Sequence, residues 1–187
     1  MSSPYLKIEG SLSTADGKYY AGGFTRYVDL ANKHAHQEVL VLEKDFQGSG
    51  LGTNLFEKNI EAYRKLGIKD VSLMANGTVG SYAWATLGFD FEDKSTMSSI
   101  KKGFKSYVTR MFAKKNESVP SNVVAGLSKI KHSWDLARFT IDGDKVGKEY
   151  LLKGHAWSGR MKLGDRESEL VYGTGIKHSH EKQALKK

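Results

Sequence analysis

The segment Leu40-Val41-Leu42-Glu43-Lys44-Asp45-Phe46-Gln47-Gly48-Ser49-Gly50-Leu51-Gly52-Thr53-Asn54-Leu55 decides the fold. In order, it reads as an apolar strand, a glycine-rich turn and the start of a helix. Closely spaced glycines let successive backbone N–H groups point into one concavity. The helix N-terminus adds partial positive charge, so the turn can hold a phosphate or pyrophosphate without a side-chain cation. It is not a Walker A loop, because no Lys-Ser or Lys-Thr follows the last glycine. Nor is it the Gly-x-Gly-x-x-Gly dinucleotide fingerprint, since Thr53 stands where the third glycine belongs.

Upstream lie three β-like runs, over residues 5–8, 23–28 and 38–43, separated by turn signals at Asp16-Gly17 and Ala31-Asn32-Lys33. They predict an antiparallel meander. The apolar density of the third run predicts a central strand covered on both faces. Downstream, Leu51, Leu55, Ile60, Ala62, Tyr63 and Leu66 recur at helical spacing, which predicts a helix over residues 52–66 closed by Gly67. Residues 68–75 alternate as a strand, Asn76-Gly77 is a turn, and residues 80–87 have room for a short helix ending at Gly88.

From Ser95 the period changes. Met97, Ile100, Phe104, Tyr107, Val108, Met111 and Phe112 form an apolar stripe with lysines opposite, broken at Glu117-Ser118-Val119-Pro120. A second helix is predicted with Val123, Leu127, Ile130, Trp134 and Ala137 on one face. The two make a helical hairpin inserted at about residues 95–140. A β-like pattern returns at residues 148–152 and 156–163, and the polar tail 176–187 is expected to fray.

A chain of 187 residues suits one domain, here residues 1–187 with an insertion. Charged residues make up 27% and apolar ones 39%, and no apolar run is long enough to span a bilayer. Cysteine is absent, which removes disulfides, thiol nucleophiles and thiolate metal sites together. The N-terminal residues lack a secretory pattern, and a cytoplasmic location is expected. Residues 94–132 carry nine Lys or Arg against one acid, Glu117, and so match the whole net charge of +8. That asymmetry fits an acidic partner or a solvated helix face.

The turn Gln47-Gly48-Ser49-Gly50-Leu51-Gly52 resembles the Gln/Arg-x-x-Gly-x-Gly/Ala signature of the GNAT acyltransferase superfamily. The order strand, turn, helix, strand, short helix and Gly88-Phe89 pair matches as well, so the resemblance covers about residues 22–91. It implies an α/β (α+β) fold, a GNAT-like mixed, mainly antiparallel sheet flanked by helices, with the helical hairpin in its C-terminal half. It also implies that acetyl-CoA is the acyl donor. Backbone N–H groups of Gln47, Gly48, Ser49, Gly50, Leu51, Gly52 and Thr53 would hold the CoA pyrophosphate. Leu42 and Glu43 would offer backbone hydrogen bonds to the pantetheine arm and thioester, and Asn76 is a further candidate contact.

The resemblance implies direct attack of a deprotonated amine on the thioester. Glu38, in the strand leading to the turn, is the candidate base, weighed against an exposed strand carboxylate. The family's usual acid is a tyrosine four residues before the Gly of the Gly-Phe pair. Here Trp84 holds that place, and Tyr82, two residues earlier, is the candidate acid or an aromatic packing residue. His34/His36 and His178/His180 have His-x-His spacing, but neither pair has a nearby acidic or third histidine ligand that its spacing would organise, so no metal site is expected. His132, Trp134, Trp157 and Tyr172 are expected to pack.

The leading expectation is an N-acetyltransferase whose amine acceptor is nucleic-acid-linked, an acidic protein segment or a phosphorylated metabolite. The alternative is a non-catalytic GNAT-like module that binds CoA, nucleic acid or a protein partner through the basic insertion.

Overall fold

The computed structural model of the chain describes residues 5–184. Six strands and seven α-helices alternate as β1 (Leu6–Ser13), β2 (Tyr20–Asp29), β3 (His34–Leu42), α1 (Leu51–Lys65), β4 (Asp70–Ala75) and α2 (Gly77–Thr86). There follow β5 (Asp90–Phe91), α3 (Lys94–Ala113), α4 (Ser121–Ser128), α5 (Ser133–Ala137), α6 (Val146–Leu151), β6 (Trp157–Lys162) and α7 (Arg166–Ala184). The strand order is β1-β2-β3-β4-β6-β5. The pairs β1–β2, β2–β3 and β5–β6 are antiparallel, and β3–β4 is parallel. This is the mixed, mainly antiparallel sheet with flanking helices that the sequence implies. Of the described residues, those up to Leu73 and those from Met161 form one compact unit, and Met74–Arg160 form another.

In the first unit the meander begins as expected, but its strands run longer, because the Thr14–Lys18 turn is tied by Thr14 to Asp16 and Tyr19. The α1 face with Phe56, Ile60 and Tyr63 is buried, and Val28, Ala35 and Val71 on the strands are likewise shielded. The expectation that the third run is covered on both faces fails. Val39 and Val41 are 41% and 58% exposed, while Leu40 and Leu42 are half-buried on the side where Gly52 of α1 approaches.

The polar tail does not fray within the described residues. α7 runs to Ala184 and buries Val171, Tyr172 and Ile176 at helical spacing. Arg64 pairs with Glu169, His180 Nε2 lies 3.2 Å from Glu57, and Tyr172 meets Phe56 edge-on. Few apolar positions, well placed, outweigh a polar composition. Residues 185–187, also part of that expectation, lie outside the described chain.

In the second unit α3 buries Ile100, Phe104, Val108 and Phe112, a strict four-residue stripe, with Asp93 capping its start by accepting from Thr96 N at 2.7 Å. The hairpin's second arm is two helices, not one. Asp135 accepts from the backbone N–H groups of Lys131 and His132, and Asp90 accepts from Ser133 N, so the chain turns between α4 and α5. The β-like reading of residues 148–152 is also corrected. Val146, Gly147, Tyr150 and Leu151 bury one face of α6, and Gly147 sits so close to the Leu136 carbonyl that a Cβ would lie 1.7 Å from it.

Candidate active site

The parallel ladder joins His34 to Asp70, Ala35 to Val71, His36 to Ser72 and Gln37 to Leu73, and there it ends, while β3 continues to Leu42. On its other side β3 pairs Gln37 with Arg26 and then Val39 with Thr25, so Glu38 is an extra residue in a β-bulge. The bulge exchanges the faces of the strand. Ala35 and Gln37 are buried before it, whereas Leu40 and Leu42 point to the covered side after it. Glu38 itself is exposed, with its Oε2 3.1 Å from His36 Nε2.

After β3 comes a 3-10 turn, Lys44–Phe46, which the sequence reading did not separate from the glycine turn. Gln47 braces the two. Its side-chain amide donates to the Leu42 carbonyl at 2.9 Å, and its own N–H donates to Lys44 O. Glu43 N donates to the Ala21 carbonyl at 3.0 Å. Gly48 and Gly50 have φ of 69° and 89°, the left-handed region that favours glycine. Gly50 is the N-cap of α1, which has no side-chain cap and no acid in its first turn. The N–H groups of Gly52 and Thr53 lie in that first turn, where no intrahelical acceptor is within reach. Ser49 Oγ stands 3.3 Å from Leu51 N. Gly52 packs closely under β3, since a Cβ there would lie 3.3 Å from Leu42 Cδ1. The result is an uncapped, positively polarised helix end fed by a left-handed turn.

Three candidates belong to the second unit. Asn76 is the extended N-cap residue of α2, exposed, with no capping bond from its side chain. Tyr82 is half-buried on α2, with Lys148 Nζ 5.3 Å from its ring. Burial raises its hydroxyl pKa above the usual tyrosine value, and Arg138 pulls the other way. Trp84 packs edge-on against Phe89, ring centroids 5.4 Å apart. His132 stacks on Trp134 and binds Asp90 at 2.6 Å, and Trp134, Trp157 and Tyr172 are buried, so all four pack as expected.

In the first unit the sequence reading missed five residues. His34, His36, Asp70 and Ser72 share hydrogen bonds beside Glu38, with Asp70 supplied by a neighbouring strand and Glu38 standing two residues beyond His36 on β3. A cavity of about 270 Å³ opens on these histidines, lined by Tyr5, Tyr27, Asp29, His34 and His36. Gln183 of α7 lies against Gly50, within 1.9 Å of where a Cβ would be. The only signal for the first four was their period-two spacing on two adjacent strands. For Gln183 there was none.

The chain is similar in fold to solved structures of low sequence identity. One is an acetyltransferase from Bacillus cereus, 16% identical, covering 49% of this chain with a TM-score of 0.42; the chain spans 63% of that protein's length. Another is GCN5 of Tetrahymena, 15% identical, covering 84% of this chain and 68% of its own, with a TM-score of 0.45. No family model and no curated protein matches the sequence. Among the described residues no helix is long and apolar enough to cross a membrane.

Proposed function

We propose that the chain is an acyl-CoA-dependent N-acyltransferase of the GNAT superfamily, acting as a single domain that transfers acetyl from acetyl-CoA to an amine. The observation that carries the reading is the left-handed Gly48–Gly50 turn. It joins the end of β3 to an uncapped α1 N-terminus, on a strand whose parallel ladder has already ended at Gln37. Gly50, Gly52 and Thr53, with Gln47, Gly48, Ser49 and Leu51 around them, hold the pyrophosphate. The backbone of Leu42 and Glu43 receives the pantetheine arm, and Asn76 adds a contact. Glu38 takes a proton from the acceptor ammonium, the free amine attacks the thioester carbonyl, the C–N bond forms and the C–S bond breaks. Tyr82, held protonated by burial, supplies a proton to the leaving thiolate.

The acceptor is acidic or nucleic-acid-linked. Lys102, Lys105, Arg110, Lys114 and Lys115 are exposed on or just after α3 and offer it a cationic face. A second reading, a non-catalytic module that binds CoA and an acidic partner, has Trp84 in its favour, because that side chain packs where the family's acid stands.

Thiol release from acetyl-CoA with a panel of free amines, aminoacyl-tRNA and acidic peptides separates the two. Transfer supports the enzyme, with Glu38→Gln slowed by about 10²-fold or more while its affinity for acetyl-CoA is unchanged. Binding of acetyl-CoA without any transfer would leave the module.

A further inference from the structure

Four contacts join five side chains along the face of β3 and β4 that carries Glu38. Asp70 Oδ1 lies 2.6 Å from His34 Nδ1, and His34 Nε2 lies 3.0 Å from Ser72 Oγ. Ser72 Oγ lies 2.8 Å from His36 Nδ1, and His36 Nε2 lies 3.1 Å from Glu38 Oε2. The parallel register makes this row, since His34 opposes Asp70 and His36 opposes Ser72. Strand alternation keeps Glu38 on the same face as His34 and His36. The row is buried in its middle and open at its ends, with Ser72 7% exposed and the side chains of Asp70 and Glu38 22% and 50% exposed.

Counting hydrogens decides what the row can hold. Carboxylates only accept, a neutral imidazole carries one N–H, and serine carries one O–H. Two imidazoles and one serine therefore supply three hydrogens to four bonds. A row with every bond made holds one additional proton. That proton has four places, on Glu38, His36, His34 or Asp70. A relay in which each hydrogen crosses its own bond, through the Ser72 oxygen and with exchange of both imidazole tautomers, moves it from end to end with all four bonds kept.

We infer that Asp70, His34, Ser72 and His36 form a proton-sharing row that ends on Glu38 and sets the protonation state of that carboxylate. With the shared proton toward Asp70, Glu38 is an ionised base held through Oε2 by the His36 N–H. After Glu38 accepts the ammonium proton, the row returns one proton to water from an open end, and the amine's second N–H proton balances the thiolate. The four are positioning residues. Among the described residues, Tyr5, Tyr27 and Asp29 are titratable groups around the adjoining cavity, and Lys7 is paired to Glu9 on β1 at 2.8 Å. Asp29 is engaged with Asn32. The catalytic part of the inference rests on the acyltransferase reading, but the sharing itself does not.

The test therefore has two arms. In the ligand-free protein, NMR of labelled imidazoles follows His34 and His36 with pH. The wild type is expected to show coupled, non-single-site curves for both. Ser72→Ala should reduce them to two independent titrations, and Ser72→Thr should restore coupling. Asp70→Asn should displace the His36 curve although Asp70 and His36 are joined only through Ser72 and His34. Curves for His36 that superpose in wild type, Ser72→Ala and Asp70→Asn would overturn the row. In the kinetic arm, Ser72→Ala should lower kcat roughly tenfold near neutral pH, less than loss of the base, and move the acidic limb of the pH–rate profile with acetyl-CoA affinity unchanged. An unmoved profile would end its part in catalysis, and absence of transfer by the wild type would count against the enzyme reading alone.

Discussion

Gly50 and Gly52 look alike in the motif but answer to different physics. Gly50 is held at φ 89°, where any side chain is strained, and Gly52 is helical, with only the tip of Leu42 close by. Gly50→Ala is therefore expected to destabilise by about 1–2 kcal/mol, and Gly52→Ala to fall within about 1 kcal/mol of wild type, because helix propensity offsets the crowding. Midpoints of urea unfolding check both. No cost at Gly50 would mean that the turn is not left-handed in solution. At this scale the left-handed glycine turn was legible from chain-local pattern, and Glu38 was reached through resemblance alone. The partners of Glu38 were not. His34 and His36 acquire meaning only when a strand thirty-six residues away brings Asp70 and Ser72 opposite them, and one sequence carries no record of strand register.

Among the elements, α3 bears out its stripe and corrects one of its lysines. Lys101 is half-buried, and its Nζ donates to the Ile130 carbonyl at 2.5 Å, so it belongs to the packing of α3 and not to the solvent face. Lys101→Gln is expected to cost about 1 kcal/mol in stability, and Lys102→Gln, Lys105→Gln and Lys114→Gln close to nothing, in parallel thermal melts. The three exposed changes combined should raise KM for an acidic acceptor, with the deficit shrinking as salt rises. An equal KM at every salt would reduce the basic face to a solubility feature.

The seam of α7 on α1 makes a pH prediction. Tyr172 is pushed up to about 12, first by burial and then by Glu57, with Arg64 acting in the opposite sense. A raised pKa means that the folded state holds the proton more tightly. Its contribution is complete below the ordinary tyrosine value of about 10 and is lost as pH climbs toward about 12. Tyr172→Phe should lose less stability than wild type across that interval in alkaline unfolding curves; identical losses would place Tyr172 in water. The helices α6 and α7 were the elements least legible. Each hides a short helical period inside a stretch whose composition reads as strand or tail, and packing against α5 and α1 makes the choice.

For the whole molecule, the order of strands, turn and helix up to Phe89 was legible because each step has a local cause. The start of the α3 helix was legible too, from the change in apolar period. What composition could not supply is the division of contacts into two compact units, whose limits fall inside β4 and β6 and leave no linker in the sequence. The net charge of +8 speaks to partners and not to fold. The central claim is that the glycine turn holds the diphosphate of acyl-CoA. Calorimetric titration of acetyl-CoA into wild type and Gly52→Asp, each shown folded by circular dichroism, tests it most directly. The wild type is expected to bind and Gly52→Asp not to, because its carboxylate adds charge and bulk where the diphosphate sits. Equal affinity in both would contradict it.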